Sequence, residues 1–235
     1  MTKKRFINMA WAAALSIAAC TLVSAQEPAV QERVAAFKQT LQKDQTQLRS
    51  YEWIETTTVM LKGEVKSQKQ NRCYYGADGK IQKVQISASP QSQPSGGRLK
   101  RRIVAKKTGE MTDYMHQAVE LIHKYVPPEP GMIQFAKDNG KAKVGVMEPD
   151  RVIQLNLNDI IKVGDLLSAT LDIKANAILE IAVSTYLEDA QDGIKLAVTF
   201  QRLPDGTGYS GRSTLDAKAK DIKVVVENSG HRKLN

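Results

Sequence analysis

Several groups of residues in this chain have side chains able to do chemistry at suggestive spacings. His116, Glu120 and His123 fall on one stripe of a helix. Neighbouring members of that stripe can chelate a metal in pairs. His116 and His123 are two turns apart, about 10 Å along the axis, too far to share one ion. No H-E-x-x-H is present, so a solvated polar stripe is expected and no metal is predicted. Cys73 sits in an apparent strand before Tyr74 and Tyr75. A nucleophilic thiol needs a base and electropositive surroundings, and Arg72 would point to the other face of a strand. Cys73 is therefore read as a small buried hydrophobe. Gly206, Gly208 and Gly211 spell G-x-G-x-x-G. A dinucleotide site needs a helix opening directly after it, whereas Arg212–Leu215 reads as strand. G-x-S-x-G is absent, and Glu188, Asp189 and Asp192 lie in an apparent turn. With no nucleophile, base and orienting group in sight, the chain is predicted to be neither an enzyme nor a cofactor protein.

Two other features are better suited to binding. Arg98, Lys100, Arg101, Arg102, Lys106 and Lys107 crowd six cations into ten residues. The plain reading is an exposed, solvated segment. The functional reading is contact with an anionic membrane surface or lipopolysaccharide, where each nearby cation contributes about 1 kcal/mol. Nucleic acid fits less well, because no aromatic residues interleave with the charges. Trp53 shares a strand face with Tyr51, Glu55, Thr57 and Val59. That face packs a core or lines an apolar cavity.

Length and composition set the frame. The chain has 235 residues and a formal charge of +9. It begins with Lys3-Lys4-Arg5, continues apolar to about Val23, and reaches Val23-Ser24-Ala25 before Gln26-Glu27-Pro28. A basic start, an apolar middle and small residues at −3 and −1 read as a secretory signal peptide spanning 1–25. Export to the periplasm is the expectation. Ile17-Ala18-Ala19-Cys20 offers an alternative, a lipobox that would leave Cys20 acylated. Thr21-Leu22-Val23 is too apolar for the usual lipoprotein tether, which favours cleavage after Ala25. Three of the 34 basic residues and none of the 25 acidic ones lie in 1–25, so the mature chain carries +6. It would retain one thiol, Cys73, and no internal disulfide.

The remaining residues, 26–235, are read as one α+β domain. Val30, Val34, Phe37, Leu41 and Leu48 give Pro28–Leu48 a helical apolar face. Three strands follow, at Tyr51–Leu61, Val65–Tyr75 and Ile81–Ile86. Asp78-Gly79 is the expected primed turn of a hairpin. Residues 87–98, rich in Ser, Pro and Gly, read as a flexible loop. Met111, Met115, Ala118, Ile122 and Tyr125 recur at helical spacing, ended by Pro127-Pro128. A short helix over Gly131–Asp138 comes next. Seven strands with short separators complete the chain: Ala142–Met147, Val152–Leu157, Leu166–Asp172, Ile178–Leu187, Ile194–Leu203, Tyr209–Leu215 and Ile222–Glu227. Short separators favour antiparallel neighbours. About ten strands predict a curved antiparallel sheet or an incomplete β-barrel.

This order resembles the bacterial outer-membrane lipoprotein carrier (LolA-like) superfamily. The resemblance rests on the first helix running into YEWIETTTVMLKGEVKS, the central MTDYMHQAVELIHKYVPPEPGMIQFAKDNGKA, and the final strands from DLLSATLDIKANAILEIAVSTYL to IKVVVEN. It implies an incomplete barrel closed on one side by helices, with a concave apolar surface for a lipid or an acylated protein. No binding motif transfers residue by residue. The expected lining comprises Tyr51, Trp53 and Met60 from the first strand, with Met115 and Ile122 from the helical lid. The alternative is an envelope protein that contacts anionic surfaces through 98–107.

Overall fold

The computed structural model describes residues 39–89 and 98–234, with backbone only for 98–105 and 130. The expected leader over 1–25, with Cys20, the expected helix start at Pro28 and residues 90–97 of the Ser/Pro/Gly segment lie outside the described residues. Helix α1 covers 39–48. Strands β1 Tyr51–Leu61, β2 Glu64–Tyr75 and β3 Ile81–Ala88 follow. Helices α2 Arg98–Ile122 and α3 Pro130–Asp138 come next, then β4 Ala142–Glu148, β5 Val152–Asn158, β6 Leu166–Asp172 and β7 Ala177–Tyr186. The chain continues through β8 Gly193–Arg202, β9 Gly208–Ala217, a 3-10 turn Lys218–Lys220 and β10 Ile222–Lys233.

All ten strands form one antiparallel sheet in the order β3-β2-β1-β10-β9-β8-β7-β6-β5-β4. The sheet is open: no strand pair joins β3 to β4. This is the expected antiparallel sheet with helices, and its size is consistent with curvature. Every sequential strand pair within β1–β3 and β4–β10 is a spatial neighbour. The one non-sequential join is β1 with β10, where Tyr51 faces Lys233 and Leu61 faces Ile222.

Alternation puts one set of side chains on the core face. Leu167, Ala169 and Leu171 of β6, Ile181 and Val183 of β7, and Ile194, Leu196 and Val198 of β8 are all buried there. Ala118, Val119, Leu121 and Ile122 of α2 and Ile133 and Ala136 of α3 pack onto them in one cluster. Leu41 of α1 and Met111, Tyr114 and Met115 of α2 flank that cluster, half-buried. Each fully buried side chain of this size stabilises the fold by about 1.5–3 kcal/mol.

A buried polar knot fixes the end of α2. Tyr125 Oη donates to Asp165 Oδ2 at 2.8 Å and lies 2.8 Å from Thr185 Oγ1. Asp165 also accepts the backbone N–H groups of Ile160, Ile161 and Lys162 at 2.7–2.9 Å. Those bonds meet the cost of burying a carboxylate at 2% exposure. Burial and the Asp165 bond push the Tyr125 phenol well above its ordinary range.

Three local expectations are corrected. β3 runs to Ala88, two residues into the expected loop. α2 starts at Arg98, so the basic segment belongs to the helix. Arg, Lys, Leu and Ala are good helix formers, and reading them as a charge run hid that. The primed turn is at Lys62-Gly63, with φ of 53° and 80°, closing the two-residue β1–β2 hairpin. At Asp78-Gly79 only Gly79 has positive φ, and Gly79 N–H donates to Gly76 O at 2.9 Å. That is a type I turn ending in a left-handed glycine.

Candidate functional site

A concavity of about 370 Å³ lies between α1 and the sheet. Ile178 and Ile181 of β7 and Val198 and Phe200 of β8 give it an apolar floor. Leu41 and Leu48, seven residues apart on α1, face it from above. Val126, in the connection after α2, adds to the apolar lining. The polar lining holds Asp44, Arg151, Asp172 and Arg202. Arg151 is already committed, donating to Asp172 Oδ2 and Glu148 Oε2 at 3.2 Å each. The Ala175 N–H, then the Arg151 guanidinium and the Lys174 N–H, hold the Asp172 carboxyl below its usual range. Arg202 donates to Gly206 O at 2.6 Å. The cleft is therefore apolar with a charge-balanced mouth. A second void, about 20 Å³ between α3 and β5–β7, is a packing gap smaller than a ligand.

α1 seats by laying its Asp44 and Gln47 side chains against the start of β9. A Cβ on Gly208 would fall 2.5 Å from Asp44 Oδ2. Thr207 Oγ1 donates to Gln47 Oε1 at 3.3 Å. A Cβ on Gly211 would fall 2.7 Å from the Gln201 side chain. The G-x-G-x-x-G spacing thus records a turn at Gly206, with φ of 86°, and two places where β9 must be bare. No helix follows it, because β9 continues to Ala217.

An aromatic cluster adjoins this cleft. Trp53 is 6% exposed, and Trp53 Nε1 donates to Asn228 Oδ1 at 3.1 Å. Its ring centroid lies 5.8 Å from Tyr75 and 5.9 Å from His231, which it stacks at 13°. Tyr209 lies 4.0 Å from His231. Tyr75 and Tyr209 line the cleft as well. His231 is lifted into place by a bulge: one residue of β1, Trp53, faces both Gly230 and His231 of β10, with Gly230 at φ of 61°. Burial lowers the His231 pKa. Sequence reasoning passed over His231, because no local motif surrounds it. The last strand, expected to end at Glu227, runs on to Lys233, and the only signal for His231 was the lone Gly230 before it.

The five expected lining residues do not come together. Tyr51 is buried, and its hydroxyl donates to Asp205 Oδ2 at 2.6 Å. That bond raises the Tyr51 pKa and, with Thr207, pulls Asp205 down to about 2. Trp53 lies on the same face within the aromatic cluster. Met60 pairs with Lys223 and faces the other side of the sheet. Met115 packs half-buried on the core, and Ile122 lies inside it. None of the five lines the α1 cleft.

Other candidates fall as follows. Cys73 is fully buried on β2, and burial, then the Glu55 charge, pushes its thiol up to about 11. Beside it, the buried Glu55 pairs with Lys83 at 2.5 Å. His116 and Glu120 are exposed on α2, and His123 is exposed in the turn directly after it, so the expected helical stripe is cut short. Among the described residues no group of three or more His, Cys, Asp or Glu is placed to hold a metal. Among them also, no helix is long and apolar enough to cross a membrane. Lys106 and Lys107 are exposed, and Lys106 lies 3.9 Å from Glu110. Arg98, Lys100, Arg101 and Arg102 occupy the first turns of α2.

No protein-family model matches the chain, and no curated protein matches it. Among solved structures, it is similar to the crystal structure of a DUF1329 family protein from Desulfovibrio piger. The alignment covers 85% of this chain and 92% of that one, at 8% identity and a TM-score of 0.31. A likeness that loose carries no argument about this chain.

Proposed function

We propose that this chain is a non-catalytic binding protein, exported to the periplasm, that holds a lipid or the acyl portion of a protein between α1 and the sheet. In this reading the open sheet is a half-barrel and its helices are a lid. The observation that carries it is the cleft of about 370 Å³ with an apolar floor of Ile178, Ile181, Val198 and Phe200. Apolar surface left uncovered at that scale favours an apolar occupant. The buried, weakly acidic thiol of Cys73 is a poor nucleophile, which also supports a binding role.

The test is native mass spectrometry and lipid extraction of protein taken from the periplasm. A copurifying lipid is expected, lost in Phe200→Arg. Trp53 emission should also respond to added lysophospholipid, because Tyr75 is both a cleft wall and a Trp53 neighbour. Protein with no bound lipid and unchanged emission would overturn the proposal.

A second reading has its own observation. The six cations of 98–107 ride on the first three turns of α2, with no acidic residue in its first turn. Cations at a helix N-terminus oppose the macrodipole, so helix stability does not account for them. Contact with an anionic surface does.

A further inference from the structure

We infer that the basic surface is built from three elements at one end of the sheet, and that Lys62, Lys218 and Lys220 join α2 in docking on an anionic phospholipid bilayer. This rests on the second reading above and extends it to residues far away in sequence.

The course of α2 across the strand ends carries the argument. Its C-terminal end is anchored over β6 and β7 by Tyr125, through Asp165 and Thr185. Two to three turns earlier, Tyr114 Oη donates to Asp192 of the β7–β8 turn. Lys220, in the β9–β10 connection, places its Nζ 5.8 Å from the Tyr114 ring. From Ile122 to Tyr114 the helix travels about 12 Å, two to three strand spacings. Another two turns, about 10 Å, bring it to Lys107, on the same stripe as Tyr114. In the order β7-β8-β9-β10-β1, the β1–β2 hairpin, whose tip is Lys62-Gly63, opens at the same end of the sheet as the β9–β10 connection. The tip is tied to the same end, with Lys62 N–H donating to Asp221 O at 2.8 Å.

Lys62, Lys107, Lys218 and Lys220 are all exposed. Of the carboxylates nearby, Glu64 pairs with Lys66, Glu110 with Lys106 and Asp216 with Lys223; Asp221, exposed beside Lys220, offsets one charge and leaves the face net cationic. Among the described residues none of those four lysines has an ion-pair partner. Long side chains standing on turn tips and a helix flank make a broad cationic face rather than a groove. No exposed aromatic residue stands at Lys62-Gly63 or Lys218–Lys220 to stack a base. A bilayer with anionic headgroups fits this face better than a nucleic acid strand.

The experiment measures cosedimentation of the mature protein with phosphatidylglycerol-containing vesicles, and with pure phosphatidylcholine as control. Binding only to the anionic vesicles, reversed by salt, is expected. The variant K62N/K218S/K220S should bind on the order of 100-fold more weakly. Asn at 62 keeps the left-handed turn. K62N/K218S, which leaves the Lys220–Tyr114 contact intact, should lose about tenfold or more. The triple change to Arg should retain binding, and all variants should melt like the parent. If the triple variant binds like the parent while K106S/K107S does not, the extension is wrong and the α2 reading stands. Should the parent bind no vesicle, both fall, and lipid in the cleft remains a separate question. Displacement from vesicles by single-stranded DNA at equal charge would replace the bilayer with a nucleic acid partner and overturn the inference.

Discussion

His231 shows how much a single side chain can depend on the backbone that delivers it. The bulge at Gly230 sets the imidazole between Trp53 and Tyr209, and burial there disfavours its charged form. The folded pKa is thus lower than the unfolded value of about 6.5. Above that value both states are neutral and the stacked cluster contributes fully. As pH falls below about 6.5 the unfolded chain takes up the proton first, so stability drops until the folded pKa is passed. Urea midpoints measured at pH 7.5 and 5.0 should fall more for the parent than for His231→Phe. Equal falls would mean that His231 does not couple protonation to folding. None of this was legible from the local sequence. Cys73 was, because a lone thiol in an alternating strand has few roles.

Among the elements, the strands were readable nearly throughout, and for a physical reason. β-branched and aromatic runs separated by Gly, Asp, Asn and Pro leave little choice of conformation, and most boundaries fall within one or two residues of those expected. The start of α2 was less readable, since a run of cations reports charge before it reports conformation. The cleft was not readable at all. It depends on α1 approaching the β8–β9 turn, a contact between residues some 160 apart in sequence. Gly208 is where that approach is tightest. Gly208→Ala would place a Cβ 2.5 Å from Asp44 Oδ2, so either the Asp44 side chain or α1 must move. Because the clash is with the end of a side chain, a loss of no more than about 1 kcal/mol is expected, with any faster amide exchange concentrated in 39–48. Gly211→Ala, crowding only the flexible Gln201, should leave exchange in 39–48 unchanged. Similar protection in both variants would show that α1 is not held at Gly208.

At the scale of the whole molecule, one pairing decides the shape of the sheet. Both meanders follow from sequence order, but the join of β1 to β10 does not. That join makes β3 and β4 the two edges, and open edges offer unpaired backbone to other chains. β4 is the more exposed: Val144 is 46% and Val146 68% accessible, on the side that faces α3. α3 ends at Asp138, so the core face runs past its cover and ends in bare valines. Met147, bulged out of the β4–β5 ladder and 60% accessible, is the edge's partial defence, since a bulge spoils the register for an incoming strand. Replacing Val146 with Lys should therefore leave the thermal midpoint nearly unchanged, because an exposed edge position contributes within about 0.5 kcal/mol. It should sharply reduce light scattering on heating, since a charge at an edge blocks strand-to-strand association. The matched change Ile181→Lys, in the buried centre of the same sheet, should instead abolish folding. If Val146→Lys aggregates as the parent does, association runs through another surface, and β3, with Val84 and Ile86 exposed at 43% and 53%, becomes the edge to change.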